Sequence, residues 1–172
     1  NKLLVCGNGG SASDWLHIVG ELQKSFAKKR PLTDQQKELF KNSKFEDLLC
    51  NNLENGVCAL SLVSEVALNF AISNDIGADF CFAQQVWSVG KKGDVLLCLS
   101  TSGNSKNVVL AAHTAKAKEM TVIGLTGKNM NSELNRVADV CINAPSANTA
   151  EIQELHLPIY HYLCQSIEEK LF

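Results

Sequence analysis

His17 and Glu21 stand four residues apart, a spacing that puts an imidazole and a carboxylate on one face of a helix. Such a pair can exchange protons with a substrate or ligate a cation. Alone, it reads more simply as a histidine packed on the core beside a solvated glutamate. A second stretch carries Gln153, His156 and His161. On a helix Gln153 and His161 lie about 80° apart and flank one side. Pro158 between them predicts a kink, and His156 reads as a structural or interface histidine.

Two loops offer hydroxyls and glycines. The first, Gly7-Asn8-Gly9-Gly10-Ser11-Ala12-Ser13-Asp14, lies between a strand-like run and a helical pattern. Its glycines let backbone N–H groups approach an anion, and the helix start adds a positive dipole end. The plainer reading is a glycine-rich turn with Ser13 as a helix cap. It is not a Walker A loop, and it matches G-x-G-x-x-G poorly. The second, Ser100-Thr101-Ser102-Gly103-Asn104-Ser105, again follows a strand-like run and precedes a helix. Four hydroxyls with no lysine suit a phosphate that is held but not transferred, since phosphoryl transfer needs cations. Together the two loops point to a sugar phosphate.

The elements that must position these groups alternate along the chain. Apolar runs at Lys2–Cys6, Val57–Val63, Asp94–Leu99, Thr121–Leu125 and Val140–Ile142 read as strands covered on both faces. Helical patterns cover Ser13–Ala27, Ala78–Val89, Lys106–Glu119 and Ala150–Leu171. This order predicts an α/β fold: a doubly wound, five-stranded parallel sheet flanked by helices. Ligands then bind outside the carboxyl ends of the strands, which selects the loops after Cys6 and Leu99. The polar stretch 28–56, with weak helical pieces near 35–41 and 45–52, reads as an excursion over the surface.

The chain's 172 residues suit one domain with one core. A formal net charge of −2 gives no nucleic-acid footprint, and no apolar run reaches the ~20 residues of a membrane span. Seven cysteines without a C-x-x-C pair, four of them (Cys6, Cys58, Cys98, Cys141) in apolar runs, predict buried thiols and a reducing cytoplasm. The chain starts at Asn1 without a methionine and enters a strand at once. That predicts preceding residues in the natural protein.

The strings CGNGGSASDWLHIVGEL (6–22), NDIGADFCFAQQVWSVGKKGDVLLCLSTSGNSKNV (74–108) and IQELHLPIYH (152–161) resemble the phosphoheptose isomerase branch of the sugar isomerase (SIS) domain family. The resemblance covers most of the chain outside 28–56 and implies a single SIS domain. It implies catalytic roles for Glu21 and His161. It also implies substrate contacts at Asn8, Gly9, Gly10, Ser11, Glu65, Asn74, Asp75, Ser100, Thr101, Ser102, Ser105 and Gln153. One Zn2+ per subunit is implied on His17, Glu21, Gln153 and His161, within a homotetramer. Three features depart from the family. Glu65 replaces the usual Asp, Glu151 stands where arginine is common, and 28–56 is longer.

The implied reaction interconverts sedoheptulose 7-phosphate and D-glycero-D-manno-heptose 7-phosphate, with Glu21 and His161 moving protons through an enediol or enediolate. Two other readings stand beside it: a non-catalytic SIS-domain binder of a phosphosugar or partner, and an isomerase of a different phosphosugar. A pure binder has no need of the Glu21/His161 pair.

Overall fold

The apolar runs become five parallel strands. The computed structural model describes residues 1–172. Its strands β1 (Leu3–Cys6), β2 (Ala59–Ser61), β3 (Val95–Ser100), β4 (Thr121–Thr126) and β5 (Val140–Asn143) form one sheet in the order β2-β1-β3-β4-β5. All neighbours are parallel, and Cys6 pairs with Cys98, so the carboxyl ends of β1 and β3 lie side by side. The direction of winding reverses between these two strands. That is where an open parallel sheet leaves a crevice for ligand.

Eight α-helices accompany the sheet: α1 (Gly10–Gln23), α2 (Asp34–Lys37), α3 (Glu46–Asn52), α4 (Val66–Ile72), α5 (Cys81–Val89), α6 (Lys106–Ala117), α7 (Glu133–Val137) and α8 (Thr149–Leu171). Successive strand side chains alternate between faces. Leu4, Cys6, Leu96, Cys98 and Val122 meet Phe82, Val86, Val108 and Ala111 of α5 and α6. Val5, Leu97, Leu99 and Leu125 meet Trp15, Ile18 and Leu22 of α1 and Tyr160 and Cys164 of α8. Two buried faces explain why the strands read as continuous apolar runs.

Several boundaries differ from the sequence expectation. α1 begins at Gly10, so Ser13 lies inside the helix and does not cap it. The second strand shrinks to Ala59–Ser61 on the sheet edge, and Val57 instead donates its N–H to the Leu22 carbonyl. Cys58, just outside that strand, is exposed, against the expectation of burial; all seven cysteines are free thiols. α4 and α7 fall outside the helical patterns of the sequence. Val66–Ile72 is only seven residues long and mixes Ala and Leu with Val, Phe and Ile, so local propensity alone does not mark a helix there. α8 runs unbroken through Pro158. Glu154, whose carbonyl loses its bond to that proline, and Pro158 itself are exposed, so water can satisfy the carbonyl.

Residues 28–56 run over the surface except at their root, where Arg30 is buried. α2 has a Thr33/Gln36 capping box, and neither α2 nor α3 buries a residue. The excursion leaves and returns at one point: Asn55 N–H donates to the Arg30 carbonyl at 2.7 Å, and Pro31 bridges Glu54.

That point is fastened by a buried ion pair, Arg30 Nε to Glu168 Oε1 at 2.6 Å. Burial alone would raise the Glu168 carboxyl, but the Phe26 amide, Arg30 and the Ala27 and Lys28 amides hold it at about 2, below the usual 4.5. A depressed carboxylate contributes stability above its unfolded value and loses it as pH falls through the folded value. The thermal midpoint, followed by circular dichroism, should therefore fall as pH drops from 4.5 toward 2. Glu168→Gln should lose less stability over that window; an unchanged slope would refute the linkage.

Candidate active site

Both hydroxyl-rich loops lie at the β1/β3 crevice. The Asn8 and Asn107 amides exchange two hydrogen bonds of 2.9 Å, tying the first loop to the first turn of α6. Ser11 is buried in the first turn of α1. In the second loop Ser100 Oγ lies 2.9 Å from Ser105 Oγ and 3.5 Å from Ser102 Oγ. The Ser102 hydroxyl also accepts from the Asn104 N–H. α1 follows Gly9 and α6 follows Ser105, and neither has a side-chain cap; α7 and α8 are capped by Ser132 and Asn148. Two helix starts with uncapped N–H groups beside a cluster of hydroxyls can hold an anion without a lysine.

The reactive groups sit further along α1 and α8. His17 Nε2 lies 3.2 Å from Glu21 Oε1, realising the four-residue spacing. Lys24 Nζ approaches the other Glu21 oxygen at 3.3 Å. The His17 and His161 rings meet edge to face with centroids 5.0 Å apart. His161 Nε2 is buried without a hydrogen-bond partner. Gln153 reaches the first loop, its amide so close to Gly10 that a Cβ there would lie 2.6 Å from Gln153 Nε2. Thus α8 delivers Gln153 to the anion end and His161 to the Glu21 end.

His17 is oriented from its other side. Its Nδ1 lies 3.0 Å from the Tyr160 hydroxyl. Burial, with Asp14 nearby, pushes the Tyr160 phenol up to about 12, so the hydroxyl keeps its proton. Burial also raises the Asp14 carboxyl, partly offset by His17 and the Tyr160 hydroxyl. His156 points away, buried against the Thr126 carbonyl at 3.4 Å, and burial lowers its pKa. It is a structural histidine.

Other expected contacts lie apart from these groups within one chain. Glu65 precedes α4, exposed, beside a groove lined by Gln23, Ser61 and Gln85. Asn74 and Asp75 are exposed on the π-helical turn Ser73–Gly77 and bond to each other. Thr101 is half-buried, and its carbonyl accepts from the Gly127 N–H. Glu151 accepts from the Ser146 hydroxyl at 2.6 Å. A separate cavity of about 390 Å³ between the sheet and α1/α8 is almost wholly apolar, lined by Leu3, Ile18, Val95 and Ile123 among others, and holds none of the loop hydroxyls.

For a metal, the donor types of His17, Glu21, Gln153 and His161 suit zinc, and the unpartnered His161 nitrogen is a donor to spare. No group of three or more His, Cys, Asp or Glu side chains is gathered in a ligating arrangement; His17 bonds to Glu21 and Tyr160 instead.

Sequence reasoning missed Asn107, Asp14, Tyr160 and Arg30 as parts of this region. Asp14 shares a helix with His17, one turn before it, and could have been found by that spacing. The Tyr160 contact joins α1 to a partner 143 residues away and the Arg30 contacts span 8 and 9, and no local pattern marks them.

The SIS domain family matches residues 51–127. Phosphoheptose isomerase 2 of Campylobacter jejuni is 39% identical over 172 residues, covering 100% of this chain and 73% of that protein. Among solved structures, phosphoheptose isomerase from Neisseria gonorrhoeae superposes with a TM-score of 0.77 at 33% identity, over 98% of this chain and 77% of that one. The Francisella tularensis phosphoheptose isomerase gives 0.79 at 32%, with the same coverage. Identity at this level, sustained from end to end, exceeds what a shared fold requires: the chain belongs to the phosphoheptose isomerases of the SIS domain family and is a sugar-phosphate isomerase.

Proposed function

We propose that this chain converts D-sedoheptulose 7-phosphate to D-glycero-D-manno-heptose 7-phosphate, with Glu21 and His161 as its acid–base pair. The observation that carries the reading is the His17–Glu21 contact with the unpartnered, buried His161 Nε2 beside it. The loop hydroxyls and helix starts hold the phosphate. Glu21 takes a proton from C1 as the C1=C2 bond forms, and His161 gives a proton to the C2 oxygen. His161 then removes the O1 proton as the C1 carbonyl forms, and the carbon-bound proton is delivered to C2. Glu21 lies ten residues after Ser11, about 15 Å along the helix axis. That separation favours a long phosphosugar over a triose.

For one zinc ion per subunit we assign His17, Glu21 and His161, with Gln153 completing the set only if its amide leaves Gly10 and swings toward the Glu21 end. When bound, zinc supplies a Lewis acid that polarises the sugar carbonyl. The proton transfers above belong to the protein's own groups. Copies of the chain assemble as a homotetramer in this reading, supported by exposed Phe70 (74%), Trp87 (60%) and Tyr162 (71%). The seven free thiols support a reducing, cytoplasmic setting. No helix is long and apolar enough to cross a membrane.

The test is incubation of the protein with sedoheptulose 7-phosphate in D2O, with and without zinc, followed by NMR. The expected product is the aldose heptose 7-phosphate carrying deuterium at C2. Binding without conversion would favour the binder reading. Conversion of another phosphosugar alone would reassign the substrate.

A further inference from the structure

Arg30 is 1% exposed and Glu168 0%, although each carries a charge. A buried ion pair is weak evidence for stability, because apolar side chains of similar volume often hold the same space as well or better. What apolar side chains cannot do is use the remaining donors of the guanidinium. Arg30 Nη1 donates to the Leu22 carbonyl at 2.8 Å and Nη2 to the Glu21 carbonyl at 3.0 Å. These are among the last carbonyls of α1, which the helix itself leaves without partners.

Glu168 is as fully engaged. Its Oε1 accepts from the Phe26 amide at 2.9 Å as well as from Arg30 Nε, and its Oε2 accepts from the Ala27 and Lys28 amides at 2.7 and 3.1 Å. Glu168 follows His161 by seven residues, within about 20° of the same helical face. One guanidinium–carboxylate pair therefore joins the turn of α1 that carries Glu21 to the face of α8 that carries His161. Phe26, within the same connection, also packs on the His161 ring at 5.4 Å between centroids.

We propose that Arg30 and Glu168 are positioning residues that set the Glu21–His161 geometry of the isomerase. Neither side chain touches substrate; both act through the backbone of α1 and the packing of α8. The inference rests on the acid–base reading of Glu21 and His161. It also gives the root of the 28–56 excursion a role, since Arg30 closes that excursion through its carbonyl as well.

The test compares Arg30→Met, the double variant Arg30→Met/Glu168→Leu and Glu21→Gln with wild type, measuring kcat, KM for sedoheptulose 7-phosphate, and thermal midpoint. Arg30→Met alone leaves a buried carboxylate unpaired and should melt early. The double variant should recover most of the midpoint, yet keep kcat at least about tenfold below wild type, because small misplacements of reacting groups are costly. Its KM should stay within about twofold, because the phosphate loops lie at the other end of α1.

A purely structural pair predicts that kcat recovers with the midpoint, and that result overturns the inference while Glu21→Gln remains inactive. If Glu21→Gln keeps wild-type kcat, or wild type shows no turnover, the acid–base reading falls and the inference with it. Should the double variant not fold, Arg30→Lys carries the test. Lysine keeps the charge but cannot span both carbonyls and Glu168. A lowered kcat at constant KM supports positioning, and wild-type kcat refutes it.

Discussion

Glu21→Gln should lower kcat by about 10²–10⁴-fold while leaving KM for sedoheptulose 7-phosphate nearly unchanged. The substitution keeps the volume of the side chain and removes its capacity to take a carbon-bound proton. Its neighbours tolerate the change. The Lys24 contact at 3.3 Å involves an exposed lysine just past the end of the same helix, so its loss costs little stability. The His17 contact at 3.2 Å can persist as a hydrogen bond to the amide oxygen. The hydroxyls proposed to hold the phosphate, on Ser11, Ser100, Ser102 and Ser105, are untouched, since they lie at the far end of α1. Steady-state kinetics and a thermal melt check the prediction together. A kcat within about threefold of wild type, in a folded variant, would remove Glu21 from the chemistry and move the search for a base to His17 or His161.

Gly103→Ala should produce the opposite signature, raising KM by about 10–100-fold with a much smaller change in kcat. Gly103 has φ of 68°, in the left-handed region, where a side chain costs about 1–2 kcal/mol. The added Cβ would also collide with Ser132 Oγ and lie 2.5 Å from Ser132 Cβ. Rotation of the serine hydroxyl cannot relieve the second contact. Ser132 is itself fixed, buried and capping α7 through the Asn135 N–H. Gly103 donates its N–H to the Ser100 carbonyl and accepts from the Leu134 N–H, so the second loop must shift as a unit. The Ser100/Ser102/Ser105 hydroxyl cluster then loses its spacing. Weakened competitive inhibition by inorganic phosphate would confirm that the anion cradle is what changed. An unaltered KM in a folded variant would show that phosphate binds elsewhere.

These two expectations separate the ends of the site, and the sequence already hinted at both. The hydroxyl-rich loops follow strand-like runs, and apolar runs alternating with helical patterns predict a parallel sheet whose carboxyl ends bind ligand. Four-residue spacing is enough to bring His17 to Glu21, because helical geometry alone determines it. Eight-residue spacing on α8 sends Gln153 and His161 to opposite ends of the site. Local periodicity indicates that they do not align, but it cannot say what each one meets.

The remainder needed the assembled sheet. The Asn8–Asn107 bridge exists only because β1 and β3 are neighbours, a consequence of strand order that residues 99 positions apart do not announce. Ser13 reads as a cap, but the tight approach at Gly9 and Gly10 starts the helix earlier and leaves its first N–H groups free for an anion. Cys58 lies in an apolar run yet is exposed, because it falls just outside an edge strand. Arg30 sits in a run of basic residues that looks like solvated surface, yet it is buried because α1 and α8 converge there with a carboxylate and open carbonyls to receive it. Residue types and short spacings determined the chemistry available to this protein and the class of its fold. Which groups face one another, and which charge goes inside, depended on long-range packing, since burial and hydrogen bonding are settled only when distant elements meet.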